Sequence, residues 1–302
     1  MRERRDPRTL IATGIIIFLV ILVGVGWIWG QLKTSLVFGN THRFNLVVAS
    51  TAGQVDFVSI DPVERQVFVL PFPANLAIRS RSVGEYQMNS LYKLGAYGGD
   101  GGEFVRRKVQ GFMKVPIPGY VVVHDGSSTA VRGQMIRALF TPKANNVSTL
   151  DAVTLTARAE SYIWKTATID ELMRAGVLEH TGDTYSYHPE RLQQYVGTRL
   201  FDWGVGGAGV TVAVVNISGV AGLGNDIADF LTNLGLDVVA VRSADGQASK
   251  TTVTVAAHSP QTDAIIGMLK SLFGFATATQ GSTSEYRAQI VVTVGTDAEG
   301  LF

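Results

Sequence analysis

The chain has no cysteine among its 302 residues. Disulfide frameworks, thiolate zinc sites and cysteine nucleophiles are therefore excluded. Charge imbalance is almost absent too: 26 Lys and Arg stand against 25 Asp and Glu, a net of +1. No global field favours nucleic acid, and none is expected as a partner. The five histidines (His42, His124, His180, His188 and His258) share no metal-ligand spacing, and no His-Glu-x-x-His occurs. Ser127 and Ser128 follow Gly126 without a Gly-x-Ser-x-Gly frame, which counts against a serine hydrolase. Hydrophobic residues make up 46% of the chain, enough for a real core, so wholesale disorder is not expected. The length suits an anchor plus about two domains, at roughly 150 residues per domain.

Residues 9–30, TLIATGIIIFLVILVGVGWIWG, carry no charge. About 20 apolar residues in a helix cross the hydrocarbon core of a bilayer with every backbone group paired internally. Trp27 and Trp29 fall at one end, where amphipathic rings favour the interface. Arg2, Arg4, Arg5 and Arg8 precede the run against Glu3 and Asp6, and Lys33 is the charge just after it. The positive-inside rule then leaves residues 1–8 in the cytoplasm and sends the rest outside. A cleaved signal peptide is the rival reading, but the run exceeds an h-region of roughly 7–15 residues and no A-x-A site follows. The expectation is a single-pass anchor in the cell membrane, with the bilayer as first partner.

Beyond it, Phe44–Ser50, Gln54–Ile60 and Gln66–Leu70 read as strands, with a turn at Asp61-Pro62 and a stop at Pro71 and Pro73. A glycine-rich polar stretch, Arg79–Gly102, leads to a helix at Glu103–Met113 and a strand at Gly119–His124. Leu150–Trp164 reads as a helix whose Asp151 suits the N-terminal dipole. A further helix is expected around Ile169–Gly176. This mixture predicts an α/β or α+β domain over residues 40–202. Residues 203–208, within WGVGGAG, read as a linker.

Residues 209–297 follow a regular order, β-α-β-β-α-β. Strands are expected at Val210–Ile217, Asp237–Arg242, Thr251–Ala257 and Gln289–Val294. The helix Ala221–Leu234 puts Ile227, Phe230, Leu231 and Leu234 on one face; Gln261–Phe273 does so with Ile265, Ile266, Leu269 and Leu272. That pattern predicts a two-layer sandwich. Gly219, Gly222 and Gly224 sit between the first strand and helix, but as G-x-x-G-x-G rather than the dinucleotide G-x-G-x-x-G. A tight strand-to-helix turn is the expected role.

The same segment resembles the LytR C-terminal domain of bacterial envelope proteins. The matching words are Val214, Asn216, Ser218 and Gly219, then Gly222 and Gly224, and finally Val294, Gly295 and Asp297. The middle domain resembles the LytR-CpsA-Psr (LCP) family through FNLVVAS, QVDFVSIDPVERQVFVLPFP, YQMNSLYKLGAYGG and LDAVTLTARAE. That resemblance implies a wall-facing protein that transfers a glycopolymer from a polyprenyl-pyrophosphate carrier to peptidoglycan. The family uses strand-borne acids, arginines and a divalent metal.

This chain departs from the family at the reactive positions. Gly53 stands for the second-strand acid, Ala74 for the phosphate-holding Arg, and Asn75 for the following Asp. Asp56 is the nearby metal candidate. Arg79, Arg81, Asn89, Arg106, Arg107 and Arg158 are the candidates for holding an anion, with Gly98, Gly99, Gly101 and Gly102 offering backbone N–H groups. Phosphoryl transfer depends on cationic clamping and metal, and Ala for Arg with Asn for Asp removes both. The expectation is a non-catalytic envelope protein, a pseudoenzyme, binding a polyprenyl-phosphate lipid, a cell-wall glycan or another envelope protein. One alternative is an active transferase using Mg or Mn with relocated residues Asp56, Arg79, Arg81 and Arg158. The other is a purely structural interaction module.

Overall fold

The computed structural model describes residues 16, 18–19, 21–26, 29–32, 35–37, 42–80, 84–124, 131–200, 203–207, 209–273 and 278–301. Among the described residues no helix is long and apolar enough to cross a membrane. Much of the apolar run 9–30, Trp27 included, lies outside them.

Three apolar runs start the fold. Strands β1 (Phe44–Ser50) and β2 (Val55–Asp61) are buried at every position, and β3 (Gln66–Pro71) is buried at all but its ends. Continuous burial means that both sheet faces are covered. A hairpin follows, β4 (Ala77–Ser80) and β5 (Gly84–Gln87), then α1 (Leu91–Tyr97) and α2 (Gly101–Met113). Asp100 caps α2 by accepting the Glu103 N–H at 3.2 Å. Strand β6 (Gly119–Val123), helices α3 (Val131–Leu139) and α4 (Thr149–Ser161), and strand β7 (Ile163–Thr166) come next. The Ser148 hydroxyl caps α4, accepting the Asp151 N–H at 3.1 Å. Helix α5 (Ile169–Arg174), hairpin β8 (Leu178–Thr181) with β9 (Thr184–Tyr187), and α6 (Pro189–Arg199) complete this half.

The sheet order is β6-β1-β2-β3-β7. The three central strands form an antiparallel meander, and the outer two run parallel to their neighbours. Side chains alternate between the faces. Val47, Ala49, Val55 and Phe57 join Val105, Val109 and Met113 of α2 in one core. Leu46, Val48, Val58 and Ile60 join Met135 of α3 and Leu155 of α4 in another.

The second half begins with α7 (Trp203–Gly206) and continues through β10 (Thr211–Asn216), α8 (Leu223–Asn233), β11 (Asp237–Ser243) and β12 (Thr252–Val255). Helix α9 (Pro260–Phe273) and strands β13 (Thr279–Gln280) and β14 (Ile290–Val294) close it. The sheet order is β11-β10-β14-β12-β13. Ile227, Phe230 and Leu231 of α8 and Ile265 and Leu269 of α9 pack on Val212, Val214 and Val292.

The mixed α/β reading therefore holds, but helices α3 and α6 and the β8–β9 hairpin were not foreseen, and other elements differ in detail. The helix expected to reach Trp164 stops at Ser161, because Tyr162, Ile163 and Trp164 take up the extended backbone that aromatic and β-branched residues favour. The polar stretch Arg79–Gly102 contains a hairpin and a helix. Val205, in the segment expected to be a linker, is buried in the second core. Strand β13 is an addition to the expected order.

Candidate functional site

Gly53 lies in the turn between β1 and β2 with φ +104°. A Cβ there would meet the Asn89 carbonyl oxygen at 2.7 Å and its Cβ at 3.1 Å. A carboxylate-bearing residue thus has neither the backbone conformation nor the room. Asn89 is held in place by its own N–H, which donates to the Ala74 carbonyl at 2.9 Å, and the Met88 N–H donates to the Leu76 carbonyl at 2.9 Å. The fold does bring Gly53, Ala74 and Asn89 together, but through backbone. Ala74 is exposed. The Asn75 amide donates to the Asp183 carbonyl, and the Asn75 carbonyl accepts the Tyr185 N–H at 3.2 Å. Its side chain is used in fastening the β8–β9 hairpin.

Asp56 points the other way. It pairs across the sheet with Val48 and Pro71, and its alternating neighbours Val58 and Ile60 belong to the core under α3 and α4. Asp56 is buried, and burial pushes its carboxyl up to about 6, although a bond from the Gln54 amide at 3.2 Å pulls it down. Arg158 of α4 is on this side as well, donating to the Val37 carbonyl at 3.0 Å. Arg79 is on the α2 side, exposed, and paired with Glu85 across its hairpin at 2.8 Å. That pairing with Glu85 raises the pKa of the guanidinium. Arg81 lies outside the described residues.

The relocated set Asp56, Arg79 and Arg158 is therefore split by the sheet. Among the described residues no group of three or more acids or histidines converges. With Asn75 engaged and Asp56 on the opposite face, the residues present do not fit a hard divalent cation.

The remaining candidates also separate. Arg106 is structural: it grips Glu103 with Nε at 2.7 Å and Nη2 at 2.5 Å, and gives Nη1 to the Ile117 carbonyl at 2.7 Å. Gly101 and Gly102 serve close packing, since Cβ atoms there would stand 2.8 Å from Tyr92 and 2.3 Å from Tyr120. Arg107, 3.5 Å from Glu103, is half exposed and faces a cleft.

That cleft of about 830 Å³ separates α2 from the second half of the chain. Arg79, Arg107 and Lys108 line one wall with the rings of Tyr86, Phe104 and Tyr187; Leu223, Asp226, Thr296 and Glu299 line the other. Burial and the neighbouring Arg107 charge both lower the Lys108 pKa. The two walls are fastened at Lys114, which closes α2 in the left-handed conformation (φ 52°). Its ammonium binds Asp229 and lies 3.2 Å from Asp226. Burial opposes that charge, and the two aspartates outweigh it, so its pKa is raised. The Asn233 amide donates to the Lys114 carbonyl at 2.9 Å and to Gln193 at 2.6 Å. Gln110 donates to the Leu301 carbonyl at 2.8 Å. Lys108 and Lys114 carry no motif: Lys108 lies within α2 and Lys114 just beyond its end, and the second half of the chain that they meet lies more than 100 residues further on.

The motif words of the second half prove to be turn locks. Asn216 Oδ1 accepts the Ser218 N–H at 3.1 Å and hydroxyl at 2.6 Å, and its amide donates to the Val220 carbonyl at 2.9 Å. Asp297 accepts the Thr251 N–H at 2.8 Å and hydroxyl at 2.7 Å.

Residues 209–297 match the family model described as LytR cell envelope-related transcriptional attenuator, LytR_C. The resemblance read from the C-terminal sequence is borne out over that segment. No curated protein matches the chain. Several solved structures are similar in shape. A LytR-CPS2A-psr family protein, TagT, with bound octaprenyl pyrophosphate lipid is 13% identical, covers 53% of this chain and 92% of its own, and gives a TM-score of 0.35. TagV of B. subtilis is 11% identical, with coverages of 51% and 94% and a TM-score of 0.36. A transcriptional regulator from Enterococcus faecalis is 10% identical, with coverages of 65% and 88% and a TM-score of 0.37.

Proposed function

We propose that this protein is a membrane-anchored, extracytoplasmic envelope protein related to the LCP family, and that it binds an anionic wall glycopolymer without transferring it. One observation carries the reading: the Asn89 backbone fills the place where an acid at position 53 would stand. Ala74 and Asn75 beside it supply neither a guanidinium nor a carboxylate, and cationic clamping is what phosphoryl transfer requires. The cleft beside α2 offers the complementary features. Its Arg79, Arg107 and Lys108 suit phosphate or carboxylate groups, and Tyr86, Phe104 and Tyr187 offer ring surface to sugars. The apolar run 9–30, preceded by four arginines, supports the anchor and its orientation.

The test uses the full chain in phospholipid vesicles. Transfer from a polyprenyl-pyrophosphate-linked glycopolymer to peptidoglycan is assayed with Mg²⁺ or Mn²⁺, alongside equilibrium binding of the free anionic glycopolymer. The expected result is no turnover, with binding that Arg107→Ala plus Lys108→Ala weakens about tenfold. Metal-dependent turnover would establish the active transferase instead. Neither turnover nor binding would leave the structural module as the function.

A further inference from the structure

The short segment before the first strand is not a loose tether. Asp151, buried in the first turn of α4, accepts the N–H of Val37 at 3.0 Å, the N–H of Leu36 at 3.2 Å, and the Ser35 hydroxyl. Arg158, further along α4, donates to the Val37 carbonyl at 3.0 Å. Val37 itself is buried in the core beneath α3 and α4. The segment therefore meets the domain at the start of α4 and runs along that helix.

Chain length then fixes a height. Helical residues are described up to Leu32, three steps before Ser35. Three steps of extended chain span at most about 11 Å. Those helical residues continue the apolar run 9–30, so the inference rests on the anchor proposed above. If Trp29 lies at the interface, the N-terminal end of α4 is held within reach of the lipid headgroups.

The end of α3 is tied to the same place. The Asn145 amide closes α3 by donating to the Ala138 carbonyl at 2.8 Å and the Leu139 carbonyl at 3.1 Å, and Ser148 caps α4 three residues later. The last turn of α3 and the connection after it expose Arg137, Phe140 (53% accessible) and Lys143. An exposed ring flanked by cations suits an anionic interface: the ring enters the headgroup boundary and the cations meet phosphates. We infer that the α3–α4 connection, through Arg137, Phe140 and Lys143, docks on anionic phospholipid headgroups of the leaflet in which the anchor ends.

The absence of cysteine makes the test clean. The full chain carrying Thr141→Cys, labelled with an environment-sensitive dye, is placed in vesicles of phosphatidylcholine with phosphatidylglycerol, and separately in phosphatidylcholine alone. Asp245→Cys, in the second half of the chain, serves as the reference position. The expected result is quenching by nitroxide-headgroup lipid about twofold stronger at 141 than at 245 in the anionic vesicles. Arg137→Glu with Lys143→Glu is expected to remove about half of that difference. Flotation of the vesicles separates two kinds of failure. A chain that floats while position 141 is quenched no more than 245 overturns the docking surface and leaves the anchor standing. A chain that does not float overturns both.

Discussion

The two faces of the first sheet use polar groups in opposite ways. Under α3 and α4, the Asp151 carboxylate is buried and consumed by main-chain donors, fastening residues 35–37 to the domain. On the α2 side, Arg79 and Arg107 stay accessible at the rim of a cleft, while the position that would carry an acid is closed by the Asn89 carbonyl. One face is spent on attachment and the other is left for encounter. The lesson is that a charge's role follows from what satisfies it: a carboxylate ringed by N–H donors is structural, whereas a half-solvated guanidinium retains donors for a ligand.

The most forceful way to break this comparison is Asp151→Ala. It leaves two N–H groups and a hydroxyl without their acceptor beside a buried Val37. Losing several bonds to one charged acceptor is expected to cost about 4 kcal/mol. Urea denaturation of the detergent-solubilised chain measures it, and a loss under about 1 kcal/mol would mean the clamp is dispensable.

Gly53→Asp probes the other face by returning an acid to the turn. The new Cβ meets the Asn89 carbonyl at 2.7 Å in a backbone with φ +104°. Strain and overpacking together are expected to cost about 3 kcal/mol without creating metal-dependent transfer. Full stability in the variant, read by the same denaturation, would show that the hollow opens readily and would revive the transferase reading.

How much of this was legible in the sequence depends on the range of the interactions. Strands β1 and β3 announced themselves as apolar runs, and α8 and α9 as one-sided helices whose Ile227, Phe230, Leu231 and Leu269 are indeed buried. Strand β7 and the β8–β9 hairpin escaped because four-residue, half-exposed strands carry no periodic signal. Arg106, a candidate anion ligand by sequence, is held by Glu103 three residues before it on the helix, a pair that the local spacing already encodes. The blocking of Gly53 by Asn89, and the latch at Lys114, arise from segments far apart in the chain, and no local pattern encodes them.

A subtler test of the attachment face is Asp56→Asn. The folded carboxyl is raised to about 6 from 3.8, burial being the cause and the Gln54 bond opposing it. Between those values the folded chain keeps a proton that the unfolded chain has released. Stability therefore falls as pH rises through that window, and is highest below it. The Asn variant lacks the penalty, so it should gain about 3 kcal/mol over the parent at pH 7 and well under about 1 kcal/mol near pH 4. Denaturation midpoints at the two pH values give the answer, and a gain independent of pH would place the effect elsewhere.

The mildest expected effect sharpens the comparison at the cleft. Lys114 joins α2 to Asp226 and Asp229 of α8, and all three side chains keep some contact with solvent. Partly exposed ion pairs contribute modestly, so Lys114→Met should cost about 1 kcal/mol, and less at high salt. The Asn233 bond survives, because its acceptor is the backbone carbonyl of residue 114. The walls of the cleft should loosen rather than part, and hydrogen exchange should rise at the start of α8 while β10 stays protected. Weaker glycopolymer binding in this variant, with Arg107 and Lys108 intact, would mean that the ligand needs both walls at once. Unchanged binding would confine recognition to the α2 wall.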